Sequence, residues 1–204
     1  MIAIVNYGSG NIQAIANIYG RLNIEFVIAS RPQDFAGAER VLLPGVGAFD
    51  QAMGDLGRSG LRSALDRVVL EDQRPVLGIC VGMQMLARRS DEGKAEGLGW
   101  IDAEVRRFDP ATIGRTTCLP HIGWNSVEPT RADPLFDGIE GPTGFYFLHS
   151  YHVVCCHSED QLASTDYGAP FTSALRRRNV YGVQFHPEKS HQNGVQLLKT
   201  FAQL

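Results

Sequence analysis

The sequence lacks the segments that would place a protein in or across a membrane. No stretch approaches the roughly 18 consecutive apolar residues that a spanning helix needs. The N-terminus, MIAIVNYG, has neither a basic region nor a small-residue cleavage site, so it does not have the pattern of a secretory signal peptide. We therefore expect a cytoplasmic protein that makes no membrane contact.

The sequence also has little excess of charge of either sign. Charged residues make up 20% of the chain, and the formal net charge is −3. A chain without a basic surplus has no general attraction for a polyanion. We therefore expect no nucleic-acid partner.

Cysteine is scarce, and its spacing suggests neither a disulfide framework nor a metal site. The four cysteines are Cys80, Cys118, Cys155 and Cys156. In a cytoplasmic chain they are expected to stay reduced. His149 and His152 are the best metal-ligand candidates, but no matching cysteine or acidic cluster accompanies them, which favours a structural role. We expect no metal and no cofactor.

The organisation of the first half indicates an α/β protein. The 204 residues suit one domain, residues 1–204, whose core needs no disulfide or metal. Short apolar runs alternate with amphipathic segments, as in βαβ units on a parallel sheet. The predicted strands are IAIVNY, EFVIAS, RVLLPG and RPVLGI. Helices are predicted over about 12–22 and 50–70, the second interrupted near Gly57 and Gly60.

The second half has a different pattern, with strand-like segments separated by proline and glycine. These segments are WIDAEVRRF, CLPHIGWNSV and FYFLHSYHVV, followed by the predicted hairpin ALRRRNVYGVQFHPE and a closing helix with Val195, Leu198 and Phe201. The predicted fold is an open, mostly parallel sheet flanked by helices, with an additional antiparallel β-rich segment. Such sheets bind ligands at the carboxyl ends of their strands.

Cys80 lies at one of these strand ends. In GICVGMQ it follows the fourth apolar run, and Gly78 and Gly82 remove side chains where strand and helix must turn sharply. This is the pattern of a nucleophile elbow with cysteine in place of serine. A helix beginning beside the sulfur favours the thiolate through its dipole. From these residues alone, a small buried hydrophobic cysteine is an equally good interpretation.

A nucleophilic cysteine needs a base, and His186 in GVQFHPEKS is the candidate. It follows another strand-like run, and Glu188 lies two residues further on. Pro187 between them restricts the backbone of the turn. A carboxylate there orients the imidazole and stabilises its protonated form. Taken alone, HPE is a weak signal, because a histidine at a strand end is often an ordinary loop residue.

Two further glycine-rich segments follow strands. PGVG, which contains Val46 and Gly47, is expected to contribute backbone N–H groups to an oxyanion hole together with the N–H of Val81. A plain strand-to-helix turn is its simpler interpretation. NYGSGN resembles a phosphate-binding loop, but Gln13 replaces the third glycine, which makes a flavin or dinucleotide module a weak alternative. A cysteine hydrolase that acts on peptides is a third candidate function.

Five motifs together resemble the class I, triad-type glutamine amidotransferases. They are PGVGAF, GICVGMQ, PHIGWN, FYFLHSY and QFHPEKS, and they occur in the order and spacing of that family over essentially the whole chain. The resemblance implies a flavodoxin-like fold. More narrowly, GMQ after the cysteine, PHIGWN and the lysine of HPEKS resemble the glutaminase subunits of imidazole glycerol phosphate synthase.

The resemblance implies roles for individual residues. Cys80 would attack the side-chain amide of L-glutamine to form a thioester, His186 would protonate the leaving ammonia, and Glu188 would orient His186. The positions that match glutamine-binding residues of the family are Gln84, Glu92, Tyr146 and Ser150. Gln84 lies one helical turn beyond the cysteine, so its reach supports that role independently.

The resemblance also implies a partner, a (β/α)8-barrel cyclase subunit that forms a heterodimer with this chain and uses the ammonia. The products are imidazole glycerol phosphate, on the way to histidine, and an aminoimidazole carboxamide ribonucleotide. The residues expected at the partner interface are His121, Trp124, Asn125 and Lys189. The alternative within the family is a paralogous subunit that supplies ammonia for amidination of surface-polysaccharide sugars.

Overall fold

Strands and helices alternate along the first half of the chain in the computed structural model, which describes residues 1–113, 118–139 and 144–204. The helices of the described residues are α1 (Ile12–Arg21), α2 (Phe49–Ser59), α3 (Arg62–Asp66), α4 (Val81–Met85) and α5 (His191–Phe201). The strands of the described residues are β1 (Ile2–Val5), β2 (Phe26–Ala29), β3 (Arg40–Gly45), β4 (Val76–Cys80), β5 (Arg89–Ser90), β6 (Ala103–Arg107), β7 (His121–Ser126), β8 (Glu128–Pro129), β9 (Gly144–His149), β10 (Tyr151–Cys155), β11 (Gln161–Asp166), β12 (Pro170–Arg177) and β13 (Val180–Val183).

One half of the main sheet is parallel, in the order β2, β1, β3, β4 and β13. With β13 taken as the fifth strand, this is the order of a flavodoxin-like doubly wound sheet. Strands β1, β4 and β13 are buried along their whole length, which explains why they are continuous apolar runs rather than alternating ones. All five strands end at the same edge of the sheet, as the sequence predicted.

The helices cover both faces of this parallel half. Because βαβ crossovers are right-handed, α1 lies on one face, and α2 and α3 lie on the other. Helix α1 contacts α5, and α2 contacts α3 and α4. The direction of winding changes between β1 and β3, which is the point where ligands bind in such sheets. Among the described residues, none of the helices combines the length and the hydrophobicity that a bilayer crossing requires.

The other half of the main sheet is largely antiparallel. Strand β12 pairs antiparallel with β13, β10 and β11, and β10 pairs antiparallel with β6. Strands β7 and β9 form a separate two-stranded antiparallel sheet. The predicted β-rich segment is therefore confirmed, but FYFLHSYHVV is two strands rather than one. It breaks at Ser150, so β9 and β10 belong to different sheets.

Two expectations about helices are corrected. The predicted helix over 50–70 is interrupted at Gly60, which adopts φ +72°, whereas Gly57 lies inside α2. The helix that follows Cys80 has only five residues, so a long aligned helix dipole does not act on the sulfur. The short strands β5 and β8 and the largely polar β11 were not predicted, because two residues show no periodicity and QLASTD has little apolar content.

The turn after β4 depends on residues without side chains. A Cβ atom at Gly82 would lie 1.9 Å from the carbonyl oxygen of Leu43 in β3, and one at Gly78 would lie 2.6 Å from the carbonyl oxygen of Gly82. Both distances are too short for carbon and oxygen. The glycines therefore let α4 begin directly against β3 and β4, and this close approach sets the position of Cys80.

We expect Gly82→Ala to destabilise the fold by about 3 kcal/mol, because the neighbouring backbone of β3 has to move to admit the methyl group. The matched control is Gly57→Ala, at an exposed site in α2 with no atom within 4 Å of the added Cβ. This control should stabilise the helix by up to about 1 kcal/mol. Thermal unfolding measures both, and equal melting temperatures for the two variants would contradict the packing argument.

Candidate active site

Cys80 is the last residue of β4 and is held in an unusual backbone conformation. Its φ is +55° and its ψ is −113°, which a non-glycine residue adopts only at a cost. The residue is 3% exposed, and it lies opposite Gly45 in the register of β3 and β4. The strained turn therefore holds the Cys80 side chain in one place, next to the PGVG segment.

His186 and Glu188 come to the same edge from the end of β13. The Nδ1 atom of His186 lies 2.8 Å from Oε1 of Glu188, and their side chains are 3% and 2% exposed. The backbone N–H of His186 donates to the carbonyl oxygen of Tyr146, 2.8 Å away. Because Nδ1 donates to the carboxylate, Nε2 is the ring nitrogen left for other partners.

The electrostatics of this pair follow from burial and from its partners. Burial lowers the pKa of His186, but hydrogen bonds with Cys80 and Glu188 and the charges of these two residues outweigh it and raise the pKa to about 10. Burial raises the pKa of Glu188, but the hydrogen bond and positive charge of His186 and a hydrogen bond from Asn11 hold it below its usual value. At neutral pH the site therefore keeps a proton on His186 and a charge on Glu188.

Asn11 is a part of this site that the sequence did not reveal. Its side-chain Nδ2 donates to Oε1 of Glu188 at 2.6 Å, so the same oxygen accepts from both Asn11 and His186. Asn11 ends the GSGN turn just before α1. No sequence pattern signals this contact, because 177 residues separate the two partners.

A cavity of about 510 Å³ opens over Cys80, which is within the usual size range of small-molecule sites. The residues proposed from the sequence that line it are Val46, Gly47, Cys80, Val81, Gln84, Glu92, Ser150, His186 and Lys189. The lining residues that were not proposed are Asn11, Pro120, Leu148, His149 and Tyr151. Tyr146 does not line the cavity and instead holds the backbone of His186 through its carbonyl oxygen.

Gln84 and Glu92 both make contacts within the protein as well as facing the cavity. The Nε2 atom of Gln84 lies 3.1 Å from the carbonyl oxygen of Tyr151 and 3.1 Å from Oε1 of Gln184. The Oε2 atom of Glu92 accepts the backbone N–H of Phe49 at 2.9 Å, at the beginning of α2. Glu92 therefore binds the backbone at the start of α2 as well as facing the cavity.

The Val46 peptide group in the PGVG segment is hydrogen-bonded to the side chain of Ser9. The backbone N–H of Val46 donates to Oγ of Ser9 at 3.2 Å, and this hydroxyl donates to the carbonyl oxygen of Val46 at 2.9 Å. Gly47 adopts φ +86°, and Val46 is 39% exposed. In this conformation the Val46 N–H is therefore bonded to Ser9 and is not available to donate to an oxyanion.

The residues expected at a partner interface fall on two faces. Side chains alternate along a strand, so Trp124 of β7 points away from His121 and Asn125. Trp124 is 51% exposed and stacks on His191, whereas His121 is 3% exposed. The expectation that His121 itself contacts a partner is therefore corrected, because its side chain is buried beneath the strand. Lys189 is exposed.

His121 instead forms a buried polar chain. Its Nδ1 lies 3.1 Å from Nε2 of His149, and Nδ1 of His149 lies 2.7 Å from the carbonyl oxygen of Tyr151. The carbonyl can only accept, so His149 donates through Nδ1 and accepts through Nε2 from His121. Both rings are neutral in this arrangement, and burial lowers the pKa of His121 to about 4 and that of His149 to about 3.

This pair makes stability depend on pH. Between pH 6.5 and about 4 the unfolded chain takes up protons on these histidines and the folded chain does not, so the free energy of unfolding falls as the pH falls. His149→Asn removes one of the two groups and retains a donor for Tyr151. We expect urea unfolding to show a pH slope smaller by up to about 1.4 kcal/mol per unit in this window. Parallel slopes would contradict the assignment.

The chain is similar to known proteins over its whole length. The family described as glutamine amidotransferase class-I matches residues 3–203. The chain is 52% identical to the imidazole glycerol phosphate synthase subunit HisH of Bdellovibrio bacteriovorus and 45% identical to that of Leptospira borgpetersenii, with 100% of each chain covered. A crystal structure described as a glutamine amidotransferase has a TM-score of 0.75 at 19% identity, covering 100% of this chain and 100% of that one, which shows a shared fold. The chain therefore belongs to the class I glutamine amidotransferase family, among the HisH subunits of imidazole glycerol phosphate synthase.

Proposed function

We propose that this chain is the glutaminase subunit of an imidazole glycerol phosphate synthase and that Cys80, His186 and Glu188 are its catalytic residues. It hydrolyses L-glutamine and delivers the ammonia to a (β/α)8-barrel cyclase subunit in a heterodimer that serves histidine biosynthesis. The observation that carries the proposal is the buried His186–Glu188 pair, whose histidine lines the same cavity as Cys80 at the carboxyl edge of the sheet. The names of the relatives favour this acceptor over sugar amidination.

The chemistry follows from the protonation of the triad. The Cys80 sulfur attacks the side-chain carbonyl carbon of glutamine, and His186 gives its proton to the departing ammonia. The neutral imidazole then takes a proton from water, which attacks the thioester and releases glutamate. Glu188 keeps the ring in place through Nδ1 and stabilises its charged form, as the 2.8 Å contact allows.

The substrate is held by groups that face the cavity. Both N–H groups of Gln84 Nε2 are committed to the Tyr151 carbonyl and to Gln184, which leaves Oε1 of Gln84 as the atom that accepts from the substrate. The carboxylate of Glu92 supplies negative charge for the α-ammonium group of glutamine. Ser150 contributes at the break between β9 and β10.

The surface beside the cavity is suited to the cyclase partner. Ile122, Trp124 and Leu148 are exposed apolar side chains on β7 and β9, with exposed fractions of 58%, 51% and 38%. Ile122 and Leu148 are directly opposite each other in the register of these strands. Lys189 lies over the ring of Tyr146, 5.5 Å from its centroid, and adds a positive charge at the edge of this apolar face. Asn125 supports the face from beneath through its contact with His121.

The test of the catalytic assignment is Cys80→Ala. We expect glutamine-dependent formation of imidazole glycerol phosphate by the complex to fall at least about 10³-fold, because the nucleophile is gone. Synthesis from added ammonium salt should persist, since the cyclase site lies on the other subunit. The matched control is Cys118→Ala, at an exposed cysteine, with normal activity. Glutamine hydrolysis that survives Cys80→Ala would refute the role of Cys80, and a complex that forms no imidazole glycerol phosphate from either nitrogen source would refute the acceptor.

Control of the reaction is proposed to act through the Val46 peptide. In the conformation with its N–H on Ser9, one oxyanion donor is missing, and such a donor is worth about 10²–10³ in rate. The isolated chain is then a poor glutaminase. Docking of the ligand-bound cyclase favours the other orientation of this peptide, in which the Val46 N–H points to the oxyanion. It does so because the complex makes different contacts with the two orientations.

Steady-state glutamate release tests this control. We expect hydrolysis to rise by at least about 10² when the cyclase and its ligand are both present. Ser9→Ala removes the acceptor that holds the Val46 N–H, so it should raise hydrolysis by the isolated chain about tenfold. Ser63→Ala, at an exposed serine in α3, is the control and should change nothing. Equal rates for the chain alone, with cyclase, and with cyclase plus ligand would disprove the gating.

A further inference from the structure

Gln184 is a buried polar residue that the triad does not use. It lies between the end of β13 and His186 and is 0% exposed. Its backbone N–H donates to the carbonyl oxygen of Ser173 at 2.9 Å. A side-chain amide buried this completely needs partners for both its oxygen and its nitrogen, because an unpaired one would destabilise the fold. The identity of those partners decides what the residue does.

The surroundings determine which way the amide points. The Nε2 atom of Gln84 faces the carbonyl oxygen of Tyr151, which can only accept, so Gln84 presents N–H groups on this side. Its second contact, at 3.1 Å, is therefore a donation to Oε1 of Gln184. With its oxygen facing Gln84, Gln184 directs Nε2 at the sulfur of Cys80, 3.8 Å away.

A further neighbour of the sulfur, besides His186 and Gln184, favours the neutral thiol. The carbonyl oxygen of Leu148 lies 4.0 Å from the Cys80 sulfur and can only accept, so it favours the neutral thiol, which has a proton to donate. The Gln184 N–H favours the thiolate, because a hydrogen bond to a charged acceptor is stronger than one to a neutral acceptor. The backbone of Cys80, held at φ +55°, keeps the sulfur between these two groups.

We propose that Gln184 is a further catalytic residue, which donates a hydrogen bond to the reacting sulfur of Cys80 and has its amide orientation set by Gln84. This inference rests on the proposed glutaminase function. Its consequence for Gln84 is a second role beside substrate binding, because the same side chain keeps the Gln184 oxygen away from the sulfur.

The hydrogen bond acts at two points of the reaction. Before attack it stabilises the thiolate that bonds to the side-chain carbon of glutamine, from which ammonia leaves with the His186 proton. In the second half, water attacks the thioester, the new C–O bond forms and the C–S bond breaks. The electron pair of that bond returns to the sulfur. The Gln184 N–H is already in place to stabilise the negative charge that forms there.

The first experiment measures the thiolate directly. Gln184→Met keeps the length of the side chain but removes the donor. The rate of Cys80 alkylation by iodoacetamide is followed against pH by mass spectrometry of the Cys80 peptide, which separates it from the exposed Cys118 and Cys156. We expect the midpoint of the alkylation profile to rise by about one pH unit. Glutamine turnover by the complex should fall about tenfold in kcat, with little change in KM.

Two further variants complete the design. Gln184→Glu keeps the size and an oxygen for Gln84 but places a second oxygen at the sulfur, so the midpoint should rise further than in Gln184→Met. The matched control is Ser173→Ala, at a fully buried neighbour whose hydroxyl has no hydrogen-bond partner among the described residues. This control leaves the donor intact, so the midpoint should not move.

The outcomes separate the two proposals. If Cys80→Ala abolishes glutamine hydrolysis while folded Gln184→Met and Gln184→Glu keep the original midpoint and kcat, the role of Gln184 is overturned and the glutaminase assignment stands. If Cys80→Ala retains hydrolysis, the glutaminase assignment itself fails. Should neither variant fold, the side-chain amide of Gln184 is followed by NMR in the unaltered chain. The proposal requires the chemical shifts of this amide to change with pH at the same midpoint as Cys80 alkylation. Chemical shifts that stay constant over that pH range overturn the proposal.

Discussion

The buried carboxylate of Glu188 is the constraint on which the rest of the site depends. A charge at 2% exposure is tolerated only where opposite charge and hydrogen-bond donors surround it, and here a single oxygen accepts from His186 and from Asn11. His186 comes from the end of β13 and Asn11 from the turn before α1. The charge therefore ties together elements that are distant in the chain, and it keeps the imidazole protonated beside the sulfur.

The same N-terminal turn contacts two parts of the candidate site. Asn11 donates to Glu188, and Ser9 binds both the N–H and the carbonyl oxygen of Val46. Gly10 lies between them with φ +102°, and a Cβ there would lie 2.8 Å from that of Pro44. The NYGSGN segment, which resembles a phosphate-binding loop in sequence, is thus packed on the PGVG segment, and its polar side chains bind protein groups.

A second set of polar contacts runs from the β7–β9 sheet to the sulfur. It begins at Asn125 and passes through His121 and His149 to the carbonyl oxygen of Tyr151. From there, Gln84 and Gln184 continue it to Cys80. The Tyr151 carbonyl oxygen accepts from both His149 and Gln84. This determines which partner donates in each of the other hydrogen bonds of the network. A buried network with every direction determined is rigid, which suits a site that must hold a sulfur and an amide in fixed positions.

The sequence by itself determined the parallel half of the fold and the position of the candidate site at its carboxyl edge. Buried parallel strands are continuous apolar runs, and their carboxyl ends meet at one edge, so Cys80 and His186 could be placed together from their positions after two such runs. Five motifs in one order identified the family. These signals are local in the chain, and for that reason they can be read without coordinates.

Only the tertiary structure decided the contacts between residues far apart in sequence. Asn11 with Glu188, Ser9 with Val46 and Gln184 with Cys80 join partners 177, 37 and 104 residues apart. The structure also decided that PHIGWN presents Trp124 outward and His121 inward, since the face of a strand depends on the sheet it joins. No local pattern encodes such pairings, because they are set by how the packed elements bring donors and acceptors within about 3–4 Å of each other.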